Sequence, residues 1–154
     1  MIALLATAAA LGAVPQPTPI GPGAAYRPPA GRPFVACPGR PVARVHVELF
    51  AHGRAIVIPA GIGACSDPLR TRTPTGVVEL THGRLVLGDL FRVWGRPFST
   101  HRLLSFNSRA PVRAYVDGRA VAGLRSIPLK PGAEIVVELG AFVPPHSSFL
   151  FPPR

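Results

Sequence analysis

Arg70-Thr71-Arg72 places two guanidiniums on either side of a hydroxyl. Such a triplet can grip a carboxylate or phosphate through charge-assisted, fork-shaped hydrogen bonds. Asp67 or Glu79 could be that carboxylate, making the triplet an internal ion pair that anchors its loop; otherwise it is a contact for an external anion. The second chemistry to weigh is metal binding. The histidines are His46, His52, His82, His101 and His146, and a copper or zinc site would be drawn from His46, His82, His101 and Glu79. None of these stands at a known ligand spacing. His52 and His82 each precede a glycine, as small polar turn residues do, and His46 falls on the polar face of a strand, where solvation is the plain expectation.

Other chemistries find less to build on. Cys37 and Cys65 form no CxxC pair, which leaves out zinc-ribbon and thioredoxin-type spacings. In an exported protein they are expected to join as one disulfide, worth about 3 to 4 kcal/mol in the chain-entropy model; two free thiols would mean a cytosolic chain. There is no GxSxG elbow to present a nucleophilic serine. Glu134 and Glu138 share a strand face, but four residues of strand separate them by about 13 Å, too far for a glycosidase pair, so they read as solvated charges. Gly61-x-Gly63 lacks the strand-to-helix setting of a phosphate loop.

The whole chain of 154 residues carries a formal charge of +10, with 17 Lys and Arg against seven Asp and Glu. All but one of the cations are arginines. So few acidic residues leave open a preference for anionic surroundings such as an envelope polymer or lipid head groups. Specific nucleic-acid recognition is not expected, because no binding motif or aromatic platform accompanies the charge.

These side chains must be held by a small domain. Residues 1–13 read as a secretory signal, an apolar run ending in small residues and too short to span a bilayer. Residues 14–41 hold nine prolines and read as an extended linker. The domain then occupies 42–142, and the proline- and aromatic-rich tail 143–154 is expected to pack along it. Within the domain, period-2 alternation over Val42–Phe50, the turn Ala51-His52-Gly53 and the run Arg54–Ile58 predict a β-hairpin. Val77–Leu80 and Arg84–Leu87 flank Thr81-His82-Gly83 as a second hairpin. Leu87, Leu90, Phe91 and Trp94 recur at helical spacing, giving one short helix over 88–94. Val112–Val116 and Arg119–Ala122 flank Asp117-Gly118, a type I′ signal, and Glu134–Leu139 is the last strand. The fold class is mainly β, bordering α+β, with a β-grasp-like arrangement as one alternative topology.

Three stretches, PLRTRTPTGVVEL at 68–80, LVLGDLFRVWG at 85–95 and VPPHSSFLFP at 143–152, resemble a family of uncharacterised secreted proteins of high-GC bacteria. The resemblance spans roughly residues 42–152 and implies no established activity. It implies a His-x-His in the first strand and a Leu-His-Thr-His in the central loop, a set suited to metal. This chain has Arg44 with His46, Arg70 with Arg72, and Glu79 at a further histidine position, and a guanidinium cannot ligate a cation. The reading that follows is a non-catalytic extracytoplasmic binding or structural module. A copper- or zinc-binding exported protein and an unrecognised enzyme are the alternatives, and no cofactor is implied.

Overall fold

The computed structural model describes residues 24–29, 33 and 35–153. The signal-like run at 1–13 and most of the proline-rich stretch 14–41 lie outside the described residues. The alternation around Val45 becomes strand β1 (Ala43–Ala51), which sends Val45, Val47 and Leu49 into the main core and Arg44, His46 and Glu48 to the opposite face. His52 and Gly53, both at positive φ, turn the chain into β2 (Arg54–Ile56), antiparallel to the second half of β1. Two short strands follow, β3 (Leu69–Arg70) and β4 (Val77–Leu80).

Helix α1 (Leu87–Trp94) starts one residue earlier than its spacing predicts. Val86 has no side-chain acceptor for the first turn, so the end is closed from inside: Asp89 accepts from the Val86 amide at 2.9 Å, and the Asp89 amide returns to the Val86 carbonyl. Gly95, left-handed at φ 68°, ends the helix, and the amides of Gly95 and Arg96 donate to the carbonyls of Arg92 and Phe91. Leu87, Leu90 and Phe91 are buried in the core formed on the Val45, Val47 and Leu49 face of the sheet, each stabilising by roughly 2 kcal/mol through area removed from water.

Beyond the helix, β5 (Phe98–Ser99), β6 (Arg102–Leu103) and β7 (Phe106–Asn107) form a small antiparallel sheet. β8 (Arg113–Val116) and β9 (Arg119–Val121) close on Asp117-Gly118, both residues at positive φ, as a type I′ turn requires. A single 3-10 turn (Leu124–Ser126) leads on to β10 (Glu134–Leu139). The main sheet has seven strands in the order β3-β4-β1-β10-β8-β9, with β2 beside the second half of β1. β10 runs parallel to β1, pairing His46 with Glu134 and Ala51 with Leu139. Among the described residues the fold is thus mainly β, two sheets and one short helix.

Three expectations are corrected. Val77–Leu80 does not pair with Arg84–Leu87: both edges of β4 are taken, by β1 and β3, and Leu85 and Leu87 are drawn toward the helix and core instead. The proline-rich stretch is not wholly a linker, because Tyr26 forms a parallel bridge with Ile56, exchanges backbone hydrogen bonds with Ala55 and Val57, and stands edge-on to Phe106. Its backbone pairs with an otherwise open edge of β2. Finally, His46, Glu134 and Glu138 are not solvated; each is at most 2% exposed.

Candidate functional site

The burial of those charges follows from register. On the face of the sheet that carries Arg44, His46 and Glu48, Arg44 stands opposite Glu79, Glu79 opposite Arg70, His46 opposite Glu134, and Arg113 opposite Glu138. Four carboxylates, those of Glu48, Glu79, Glu134 and Glu138, are therefore laid across adjacent strands with cations between them. The tail covers the strip in reverse order along β1. The Val143 amide donates to Glu138 at 2.8 Å, His146 Nδ1 meets Glu48 Oε2 at 2.7 Å, the Phe149 ring stacks on His46 at 3.6 Å, and the Pro152 carbonyl accepts from Arg44 at 2.9 Å. Phe151 lies under the Arg44 guanidinium, 5.4 Å from ring centre to Cζ.

At the arginine end, Glu79 is gripped twice. Arg70 Nε reaches its Oε2 at 3.0 Å and Arg72 Nε its Oε1 at 2.8 Å. Arg70 is buried, and Thr71 is fully so, its hydroxyl donating to the Pro59 carbonyl and accepting from the Ile62 amide. The triplet Arg70-Thr71-Arg72 therefore cannot meet a partner as a unit: two of its members hold the loop in place, and Arg72 alone reaches the surface. What Arg72 lines there is a cavity of about 330 Å³ bounded also by Arg40, Arg44, Thr73, Glu79 and Pro152. Sequence spacing hides this grouping, since Arg40, Arg44 and Arg72 are brought together only by the pairing of β1 with β4.

At the centre, His46 Nε2 lies 2.8 Å from the Thr75 carbonyl and Nδ1 lies 2.6 Å from Glu134 Oε2. A carbonyl only accepts, so Nε2 carries a hydrogen. The contact of Nδ1 with a carboxyl oxygen then needs one proton between them, held by either group. Burial raises the Glu134 pKa; the hydrogen bond and charge of His46 oppose it, the nearby Glu48 carboxylate adds to it, and His146 opposes it. The other oxygen of Glu134, Oε1, is buried and accepts no hydrogen bond among the described residues. The far end is fully paired: Glu138 Oε1 accepts from Arg113 Nε at 2.7 Å and from the Tyr115 hydroxyl at 2.9 Å. Burial, with that hydrogen bond to Glu138 next, raises the Tyr115 pKa.

The metal set drawn from sequence does not assemble. Glu79 is committed to Arg70 and Arg72, His82 bonds Thr81 in an exposed turn, and His101 is exposed. Of that set only His46 sits in a cluster of potential ligands, and its companions are Glu48 and Glu134. A signal for them was available in parity: Glu48 is two residues from His46 and so on its face, while Glu134 joins only once β10 is known to lie beside β1.

Cys37 and Cys65 are joined as a disulfide, as expected, which is consistent with an extracytoplasmic chain. Among the described residues no helix is long and apolar enough to cross a membrane. Comparison with known proteins finds no matching family model, curated protein or solved structure.

Proposed function

We propose that the protein is a non-catalytic, extracytoplasmic binding module that takes an anionic group of the cell envelope, a phosphate or carboxylate of a polymer or lipid head group, in the cleft of Arg40, Arg44 and Arg72. The observation that carries this reading is the lining of the cleft: among the described residues the guanidiniums of Arg40, Arg44 and Arg72 line it with one carboxylate, that of Glu79, which is bound by Arg70 and Arg72. Among the described residues neither Arg40 nor Arg44 has a carboxylate within ion-pair distance. Arg44 is held by the Pro152 carbonyl and the Phe151 ring, so its fork is oriented before any ligand arrives. The chain-wide excess of +10 adds long-range attraction to a negatively charged surface, strongest at low salt. The disulfide supports placement outside the cytoplasm.

The test is co-sedimentation with phosphatidylglycerol vesicles and retention on a phosphate-bearing polymer, each across a salt series. Arg44→Ala/Arg72→Ala should lose most of the retention, whereas Arg96→Ala/Arg119→Ala, which removes the same charge from elsewhere, should lose little. Equal losses from both pairs would reduce the attraction to diffuse charge and remove the cleft from the account.

A further inference from the structure

A different observation, at the centre of the ionic strip, carries a second site. The geometry points to a site for a single divalent transition-metal ion of the zinc class, formed by His46, Glu48 and Glu134 under the tail, with His146 as the fourth ligand at its rim.

One ligand atom from each of His46, Glu48 and Glu134 lies within 4.8 Å of the others. Donors arranged tetrahedrally at 2.0 to 2.2 Å from zinc stand about 3.3 to 3.6 Å apart, so side-chain adjustments of the order of an ångström bring these atoms into coordination. The separate observation is Glu134 Oε1. A carboxyl oxygen in a residue 1% exposed, with no hydrogen bond among the described residues, is a costly arrangement that a cation would relieve. His46 is also prepared as a ligand. Its Nε2 hydrogen is directed at the Thr75 carbonyl, the outer-shell contact that fixes a coordinating imidazole with its other nitrogen toward the metal. That other nitrogen, Nδ1, faces Glu134.

His146 Nδ1 touches Glu48 Oε2, and its side chain is 54% exposed while Glu48 is 8% exposed. It therefore forms the solvent side of the cluster, through which an ion enters, and Phe149 closes the other side over His46. Two imidazoles and two carboxylates match a borderline cation better than calcium or magnesium, which take oxygen ligands, or copper(I), which takes sulfur. An ion held by Nδ1 and by both oxygens of Glu134 releases the proton shared between Nδ1 and Oε2 to solvent, so the buried strip gains one net positive charge opposite two carboxylates.

The experiment is calorimetric titration of the chelator-washed full chain with Zn2+ alone, accompanied by NMR of the histidine rings. One ion should bind per chain, shifting the His46 and His146 ring signals. Glu48→Gln and Glu134→Gln should each weaken binding by more than about tenfold, and His146→Ala should also weaken it. His82→Ala/His101→Ala should leave it unchanged. Absence of saturable binding overturns the site. So does binding that survives Glu48→Gln and His146→Ala at full strength; both changes lie toward the rim, which keeps the test decisive if Glu134→Gln fails to fold. Retention on anionic vesicles is read separately, so failure here leaves the arginine cleft standing.

Discussion

His46 and Glu134 meet side by side across the parallel β1–β10 ladder, 88 residues apart in sequence, with Nδ1 and Oε2 at 2.6 Å inside the protein. The contact ties the first and last strands of the sheet together through side chains as well as backbone. Removing one partner of such a buried pair leaves the other polar and alone. His46→Ala should therefore destabilise the fold by about 3 kcal/mol or more in urea denaturation, well beyond the loss from His101→Ala on the surface.

Glu138 anchors the start of the tail through the Val143 amide. Its two oxygens serve Arg113, Tyr115 and the Val143 amide, and glutamine can accept with only one of them. Glu138→Gln should cost about 2 to 4 kcal/mol, toward the lower end because Arg113 is partly exposed and regains water. Proteolytic cleavage within 143–153 should accelerate in the variant before global unfolding. Cleavage at the parent's rate would show that Glu138 does not hold the tail.

Asp89 gives a pH-dependent contribution of known sign. Burial alone would raise its pKa, but the Arg92 hydrogen bond, the Val86 amide and the Arg92 charge outweigh it, and the folded-state value is lowered. Its stabilisation is thus fully present above the unfolded carboxyl's pKa and fades as pH falls through the lower folded value. Asp89→Asn should cost about 1 kcal/mol near neutral pH and progressively less below about pH 4, as seen in denaturant midpoints at each pH. A constant difference across that range would assign the effect to packing rather than charge.

Two glycines separate backbone strain from steric exclusion. Gly76 and Gly95 both have left-handed φ, 79° and 68°. A Cβ at Gly95 meets nothing within 4 Å, whereas at Gly76 it is driven into the Val47 carbonyl and against the His46 ring. Gly95→Ala should lose about 1 to 2 kcal/mol, the intrinsic cost of the conformation. Gly76→Ala should lose more than this and also perturb the His46 ring signals. A smaller loss at Gly76 would mean that the β4–β1 junction yields readily.

Joining Cys37 to Cys65 closes a segment with a sequence separation of 28. Cys37→Ser/Cys65→Ser should lower stability by about 3 to 4 kcal/mol in the chain-entropy model, and mass spectrometry of the parent should show a gain of two hydrogens on reduction. Two free thiols in protein isolated from the host would argue against an exported chain.

What could be read from the sequence was whatever depends on near neighbours. Alternation marked β1 and β10, Asp117-Gly118 marked the β8–β9 hairpin, and Leu87, Leu90, Phe91 and Trp94 marked α1. Pairing between distant segments could not be read in this way. The β4 partners were misassigned because a turn signal at Thr81-His82-Gly83 looks the same whether or not the flanking segments pair. The candidate site failed for the same reason. Glu134 alternates with Ile135 as an exposed residue would, and only the tail, lying back along β1 from Val143 to Pro152, turns that face into an interior. Arg40, Arg44 and Arg72 likewise become neighbours only through strand pairing.

The parallel alignment of β10 with β1 also has a consequence in time. The backbone partners on that edge of β1 come from residues 132–139, while the opposite edge is supplied by β2 and β4, much nearer in sequence. A chain emerging in order from residue 43 can assemble an antiparallel half early, but its longest strand stays open on one side until the late segment arrives. The slow step is therefore a search across some ninety residues, and until it succeeds β1 exposes the kind of edge that other chains can join.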